Sequence, residues 1–192
     1  MKTFLLHGGG TSKESEANDE FFHQFTALVD KPNVSILLCY WSRPKEHWDQ
    51  LAQRDSAKIL KKTNQSVEFH IVEDAADLFA QLANFDVLYV AGGHNERIEP
   101  YYQQLSKLGD ALDGKIYAGS SMGAFLVSKQ YVLSLDSQDT STSRPGVGLL
   151  PIQVLCHWNV EPEKMRKLEL LRASSELPIV TINESEFVTF YQ

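Results

Sequence analysis

Cysteine is scarce in this chain. Only Cys39 and Cys156 occur, with no C-x-x-C pair and no zinc-like spacing. That argues against a disulfide framework and against a structural metal. Long apolar runs are missing too. No stretch approaches a membrane span, and Phe4-Leu5-Leu6 is too short for the apolar core of a signal peptide before it runs into glycines. The expected location is therefore the cytoplasm. Positive charge is in deficit: 18 Lys and Arg stand against 25 Asp and Glu, a net charge of −7. Nucleic acid and anionic membrane are thereby disfavoured as general partners, although a local basic site remains open. Internal repeats and low-complexity linkers are also wanting.

What remains is an ordinary globular composition, 43% hydrophobic and 22% charged over 192 residues. That length suffices for a sizeable core and reads as one domain over 1–192. Apolar runs at Thr3 to His7, Val34 to Cys39, Val67 to Val72, Asp86 to Ala91 and Lys115 to Ala118 read as buried strands. Helical patterns lie between them, at Ser15 to Val29, Pro44 to Lys62, Asp74 to Ala83 and Glu99 to Leu108. The alternation predicts an α/β fold with a mainly parallel sheet, whose ligands bind beyond the carboxyl ends of the strands. Residues 136 to 148 form a long polar, turn-rich loop. Ile152 to Cys156 predicts another strand and Pro162 to Ala173 a charged helix. Ile179 to Ile182 and Phe187 to Phe190, separated by Asn183-Glu184-Ser185-Glu186, read as a hairpin.

One stretch organises the rest. In KIYAGSSMGAFLVS, residues 115 to 128, a strand turns into a helix across Gly119-Ser120-Ser121-Met122-Gly123, which fits G-x-S-x-G. In that context the pattern is a nucleophile elbow, lifting Ser121 above the sheet and aiming the first helical N–H groups at whatever it attacks. A serine nucleophile needs a general base, and the base needs an orienting group. His23, His47 and His70 lie within helical or strand segments. His7, His94 and His157 sit at strand ends, and His157 is best placed, one crossover after the elbow. The acid is open among Asp136, Asp139, Glu161, Glu163, Glu184 and Glu186, with Glu184 at the hairpin tip. For the oxyanion, the N–H of Met122 is one candidate donor, and Gly92 or Gly93 supplies the other. His7-Gly8-Gly9-Gly10 mimics the oxyanion loop of α/β-hydrolase lipases, but the order of the remaining residues does not suit that fold. A small esterase is thus a minor alternative.

The elbow Gly119 to Ala124, the preceding YVAGGHN and the later GLLPIQVLCHWN together resemble the serine peptidases that include aspartyl dipeptidase (peptidase E) and cyanophycinase. That resemblance implies a three-layer α/β sandwich similar to class I glutamine amidotransferases, a flavodoxin-like arrangement. It implies Ser121 as nucleophile, His157 as general base and Glu184 as the third member. Gly92 and Met122 would offer oxyanion N–H groups, with Gly93 and Asp136 supporting. A small peptide, with a preference for an N-terminal aspartyl residue, would be the substrate. No metal or organic cofactor is implied. Arg97, Lys129 and Arg144 are the sequence's candidates for a cation facing an aspartyl substrate. Met122 stands where the family usually has alanine, and relatives usually carry further strands beyond the Glu184 hairpin. Two other expectations are a homodimer, the commonest assembly, and, as the rival to catalysis, a non-catalytic binding domain using the same cleft.

Overall fold

The computed structural model describes residues 1–134 and 141–192. Five strands form the parallel body of the first sheet: β1 (Thr3–His7), β2 (Asn33–Cys39), β3 (Ser66–Ile71), β4 (Val87–Val90) and β5 (Ile116–Ser120). Helices α1 (Glu16–Ala27), α2 (Trp48–Leu60), α3 (Ala75–Leu82), α4 (Asn95–Ile98) and α5 (Leu108–Ala111) connect them, with short 3-10 turns at Lys45–His47 and Glu99–Leu105. β1, β4 and β5 are buried throughout, as strands covered on both faces must be. Two of the helices start on side-chain caps: Ser15 accepts the Asn18 N–H at α1, and Asp74 accepts the Asp77 N–H at α3. The stripe of Phe21, Phe22 and Phe25 on α1 is fully buried, and all three rings pack against Tyr89 of β4.

After the elbow the chain differs from the simple pattern. α6 (Met122–Val127) lasts six residues, all buried, and gives way to β6 (Ser128–Val132). With β7 (Ser143–Pro145), β8 (Leu150–Leu155) and β9 (Ile179–Thr181), β6 builds a second sheet in the order β7-β6-β8-β9. α7 (Lys164–Ser174) links β8 to β9. β10 (Phe187–Tyr191) then returns to the first sheet, whose order is β10-β1-β5-β4-β2-β3. The fold is thus α/β with mostly parallel sheets and flanking helices.

The expected hairpin over 179–190 is not formed. β9 pairs in parallel with β8, whereas β10 runs antiparallel along the whole of β1, from Thr3↔Tyr191 to His7↔Phe187. Two short apolar runs around a polar tetrapeptide look like a hairpin when read locally. Here each run completes a different sheet, so residues 183–186 cross between sheets. Full pairing of β10 with β1 also gives that crossing firm support.

The sheet order decides where the site lies. β5 is central, with β4 on one side and β1 on the other. In register, Val90 faces Gly119 and His7 faces Ser120. The loops after β4 and β1 therefore flank Ser121 at the carboxyl ends of the strands. Among the described residues, no helix is long and apolar enough to cross a membrane.

Candidate active site

Ser121 follows β5 with φ 49° and ψ −104°, a backbone state that L side chains rarely adopt. Only two other non-glycine residues among those described have positive φ: His157 at 58° and Ser185 at 61°. Each such residue costs about 1–3 kcal/mol and persists only where its surroundings hold it. All three lie at one place. The elbow's glycines are required by contact: a Cβ on Gly123 would sit 2.1 Å from the Val90 carbonyl oxygen, and one on Gly119 would sit 2.5 Å from the Gly123 backbone.

β8 delivers His157 to Ser121 from the second sheet. The Ser121 Oγ lies 3.0 Å from His157 Nε2. On the other side of the ring, His157 Nδ1 lies 2.7 Å from Glu184 Oε1. The carbonyl of Leu155 accepts the Ile182 N–H, and that of Ile182 accepts the Trp158 N–H, so the chain after β8 and the chain after β9 run together. The Glu184 N–H also donates to Asn159 Oδ1 at 2.8 Å. Burial alone would raise the Glu184 pKa, but hydrogen bonds from Lys13 and His157 outweigh it and hold the carboxyl below its usual range. Glu184 is therefore an ionised acceptor that keeps the proton on His157 Nδ1 and leaves Nε2 free to accept from Ser121.

The other acid candidates are engaged elsewhere. Glu186 accepts from Asn183, Glu161 pairs with Lys167 in the interior, and Glu163 pairs with Arg166. Asp136 and Asp139 lie outside the described residues. Of the other strand-end histidines, His94 lines the cleft but is half exposed and lies 3.6 Å from Glu96. His7 is wholly buried beneath the loop that follows it.

Gly92 lies against Ser121: a Cβ there would be 3.0 Å from Ser121 Cβ. Gly93 packs on the Ser42 backbone, 2.1 Å from where its Cβ would be. The Ser121 N–H is already used by the His7 carbonyl at 2.9 Å. Met122 opens α6, so its N–H is among those without an intrahelical acceptor. The Met122 side chain is buried and contributes to the hydrophobic core as well as to the cleft wall.

The cleft over Ser121 encloses about 140 Å³ and is open to solvent. Arg43 and Arg54 line it; the sequence's candidates Arg97, Lys129 and Arg144 do not. Arg43 follows β2, the remaining central strand, and its Nε donates to the Gly92 carbonyl. Arg54, on α2, is held by the buried Asp55, which also accepts from Tyr40. Arg43 had a signal in sequence, since it follows a strand's carboxyl end; Arg54 had none. Among the described residues, no group of His, Cys, Asp and Glu could hold a metal ion.

Comparison with known proteins bears on the fold and the family. A peptidase from an acI-B1 Actinobacterium superposes with a TM-score of 0.63 at 18% identity, over 99% of this chain and 83% of that one. A protein designated peptidase E from Listeria monocytogenes EGD-e gives 0.62 at 18% identity, over 100% of this chain and 99% of that one. These likenesses establish the shared fold. No curated protein sequence matches. The sequence model of peptidase family S51, however, matches residues 4–192. The chain therefore belongs to peptidase family S51, and it is a serine peptidase.

Proposed function

We propose that this peptidase cleaves small peptides bearing an acidic N-terminal residue, through an acyl-enzyme on Ser121. The observation that carries the reading is the unbroken run of contacts from Ser121 Oγ through His157 to Glu184, at 3.0 and 2.7 Å. His157 Nε2 takes the Ser121 proton as Oγ attacks the scissile carbonyl carbon. The carbonyl π pair moves onto oxygen, and the N–H groups of Gly92 and Met122 stabilise that oxyanion. His157 then returns the proton to the departing amine as the C–N bond breaks. Water, deprotonated by His157, attacks the ester and releases the acid and Ser121. Glu184 stays ionised throughout and stabilises the imidazolium.

The acidic preference draws support from Arg43 and Arg54 in the cleft wall. Each is already oriented by one partner, Gly92 and Asp55 respectively, so little rotamer freedom remains to be lost on binding. A cleft of about 140 Å³ is small beside typical pockets of about 300–1,000 Å³, which suits a short peptide. The test is a dipeptide panel differing only in Asp, Asn or Ala at the first position. A charge-assisted hydrogen bond of about 1.5–3 kcal/mol predicts kcat/KM about 10- to 100-fold higher for Asp than for Asn. Arg43→Ala or Arg54→Ala should narrow that ratio. Equal rates for Asp and Asn would reject the acidic preference, and no cleavage of any member would reject the small-peptide reading.

A further inference from the structure

The motif His7-Gly8-Gly9-Gly10 has no part in the chemistry above, yet it lies directly beneath the general base. His7 is wholly buried, and both ring nitrogens are used. Its Nδ1 accepts the Gly9 N–H at 3.0 Å, so Nε2 carries the proton and donates to Asn18 Oδ1 at 2.8 Å. Asn18 is 1% exposed. Its amide nitrogen donates to the carbonyls of Gly10 (3.0 Å) and Lys13 (2.8 Å), with Ser185 Oγ further away at 3.4 Å. One buried histidine and one buried asparagine thereby fix both ends of the glycine loop.

The loop in turn holds the catalytic segments. The Gly8 carbonyl accepts the His157 N–H at 2.9 Å, and the Gly9 carbonyl accepts the Ser185 N–H at 2.9 Å. Among the described residues, these are the two that, besides Ser121, carry positive φ without being glycine. Gly9 itself presses on the imidazole: a Cβ there would lie 2.2 Å from His157 Cε1. Lys13, whose carbonyl Asn18 binds, extends its ammonium to Glu184.

We propose that His7 and Asn18 form a buried clamp that sets, through the glycine loop, the positions of His157 and Glu184 relative to Ser121. They are positioning residues, and their role rests on the Ser121-His157-Glu184 reading given above. His7→Phe keeps the ring packed on Phe21, 4.6 Å away between centroids, but removes the acceptor for Gly9 and the donor for Asn18. His7→Asn restores the first of these, because an asparagine side-chain oxygen can accept the N–H two residues on.

The experiment measures the rate of Ser121 modification by an alkyl fluorophosphonate, and kcat and KM on an Asp dipeptide. It compares wild type, His7→Phe, His7→Asn, Asn18→Ala and His157→Ala, each checked for folding by circular dichroism. His7→Phe and Asn18→Ala should lower kcat and the labelling rate about 10- to 100-fold with KM little changed, and His7→Asn should recover most of the loss. If His7→Phe does not fold, Asn18→Ala carries the same comparison from the other side of the clamp. A folded clamp variant that labels at the wild-type rate overturns the proposal, as does a loss in His7→Phe that His7→Asn fails to restore. Wild type labelling no faster than His157→Ala would instead overturn the catalytic reading itself, and the clamp's role with it.

Discussion

Acidification places a definite load on His7. Burial, the largest cause, lowers its pKa to about 4 from an ordinary value near 6.5. Its hydrogen bond to Asn18 and the charge of Glu184 oppose the shift, while His157 and Lys58 add to it. Between these two values the unfolded chain binds a proton that the folded chain refuses. Stability therefore falls as pH drops from about 6.5 towards 4, and no further loss arises from this group below that. The drop from 6.5 to about 4 is worth about 3 kcal/mol in full, of which about 2 kcal/mol is lost by pH 5. Urea unfolding of wild type and His7→Asn at pH 7 and pH 5 isolates the term, because the carboxylates held low in the fold, Asp77 and Asp86 among them, titrate alike in both proteins. Wild type should lose about 2 kcal/mol more than His7→Asn over that interval. Parallel losses would refute the assignment of His7 as a buried neutral imidazole.

Two further outcomes follow from the same geometry. Glu184→Gln keeps the size of the side chain but can no longer hold the proton on His157 Nδ1 as a carboxylate does; steady-state assays should show kcat lower by about 10²- to 10⁴-fold, with thermal unfolding little changed. Gly123→Ala places a methyl where the Val90 carbonyl oxygen lies 2.1 Å away, so α6 must lift from β4. Denaturant titration should show a loss of about 1–3 kcal/mol, and the elbow's activity should fall with it.

The parts of this fold that could be read locally are those whose signals are local. The five apolar runs of the first sheet reappear as strands within a residue or two, and G-x-S-x-G turns where expected because its glycines are required by contacts within the elbow and with β4. Glu184 could be told from Glu186 only through the family resemblance. Physically the distinction comes from the crossing between sheets, which turns Glu184 towards His157 and Glu186 towards Asn183. The supposed hairpin failed because pairing partners are chosen by sheet order, which no short window contains. β7 carries no local signal inside the polar stretch 136–148, being three residues long with no apolar alternation. The glycine loop is visible in the sequence as a strand-end loop, and the order of the later residues sets its lipase-like reading aside. Its contacts with His157 and Ser185 join residues about 150 positions or more away in the chain, beyond the reach of spacing arguments.

The proposed mechanism depends above all on activation of Ser121 by His157. Intact-mass analysis after exposure to an alkyl fluorophosphonate tests it most directly. A single adduct is expected on wild type, mapped to Ser121, and none on Ser121→Ala or His157→Ala under the same conditions. A folded wild type that takes no adduct, or a His157→Ala variant labelled as fast as wild type, would contradict it.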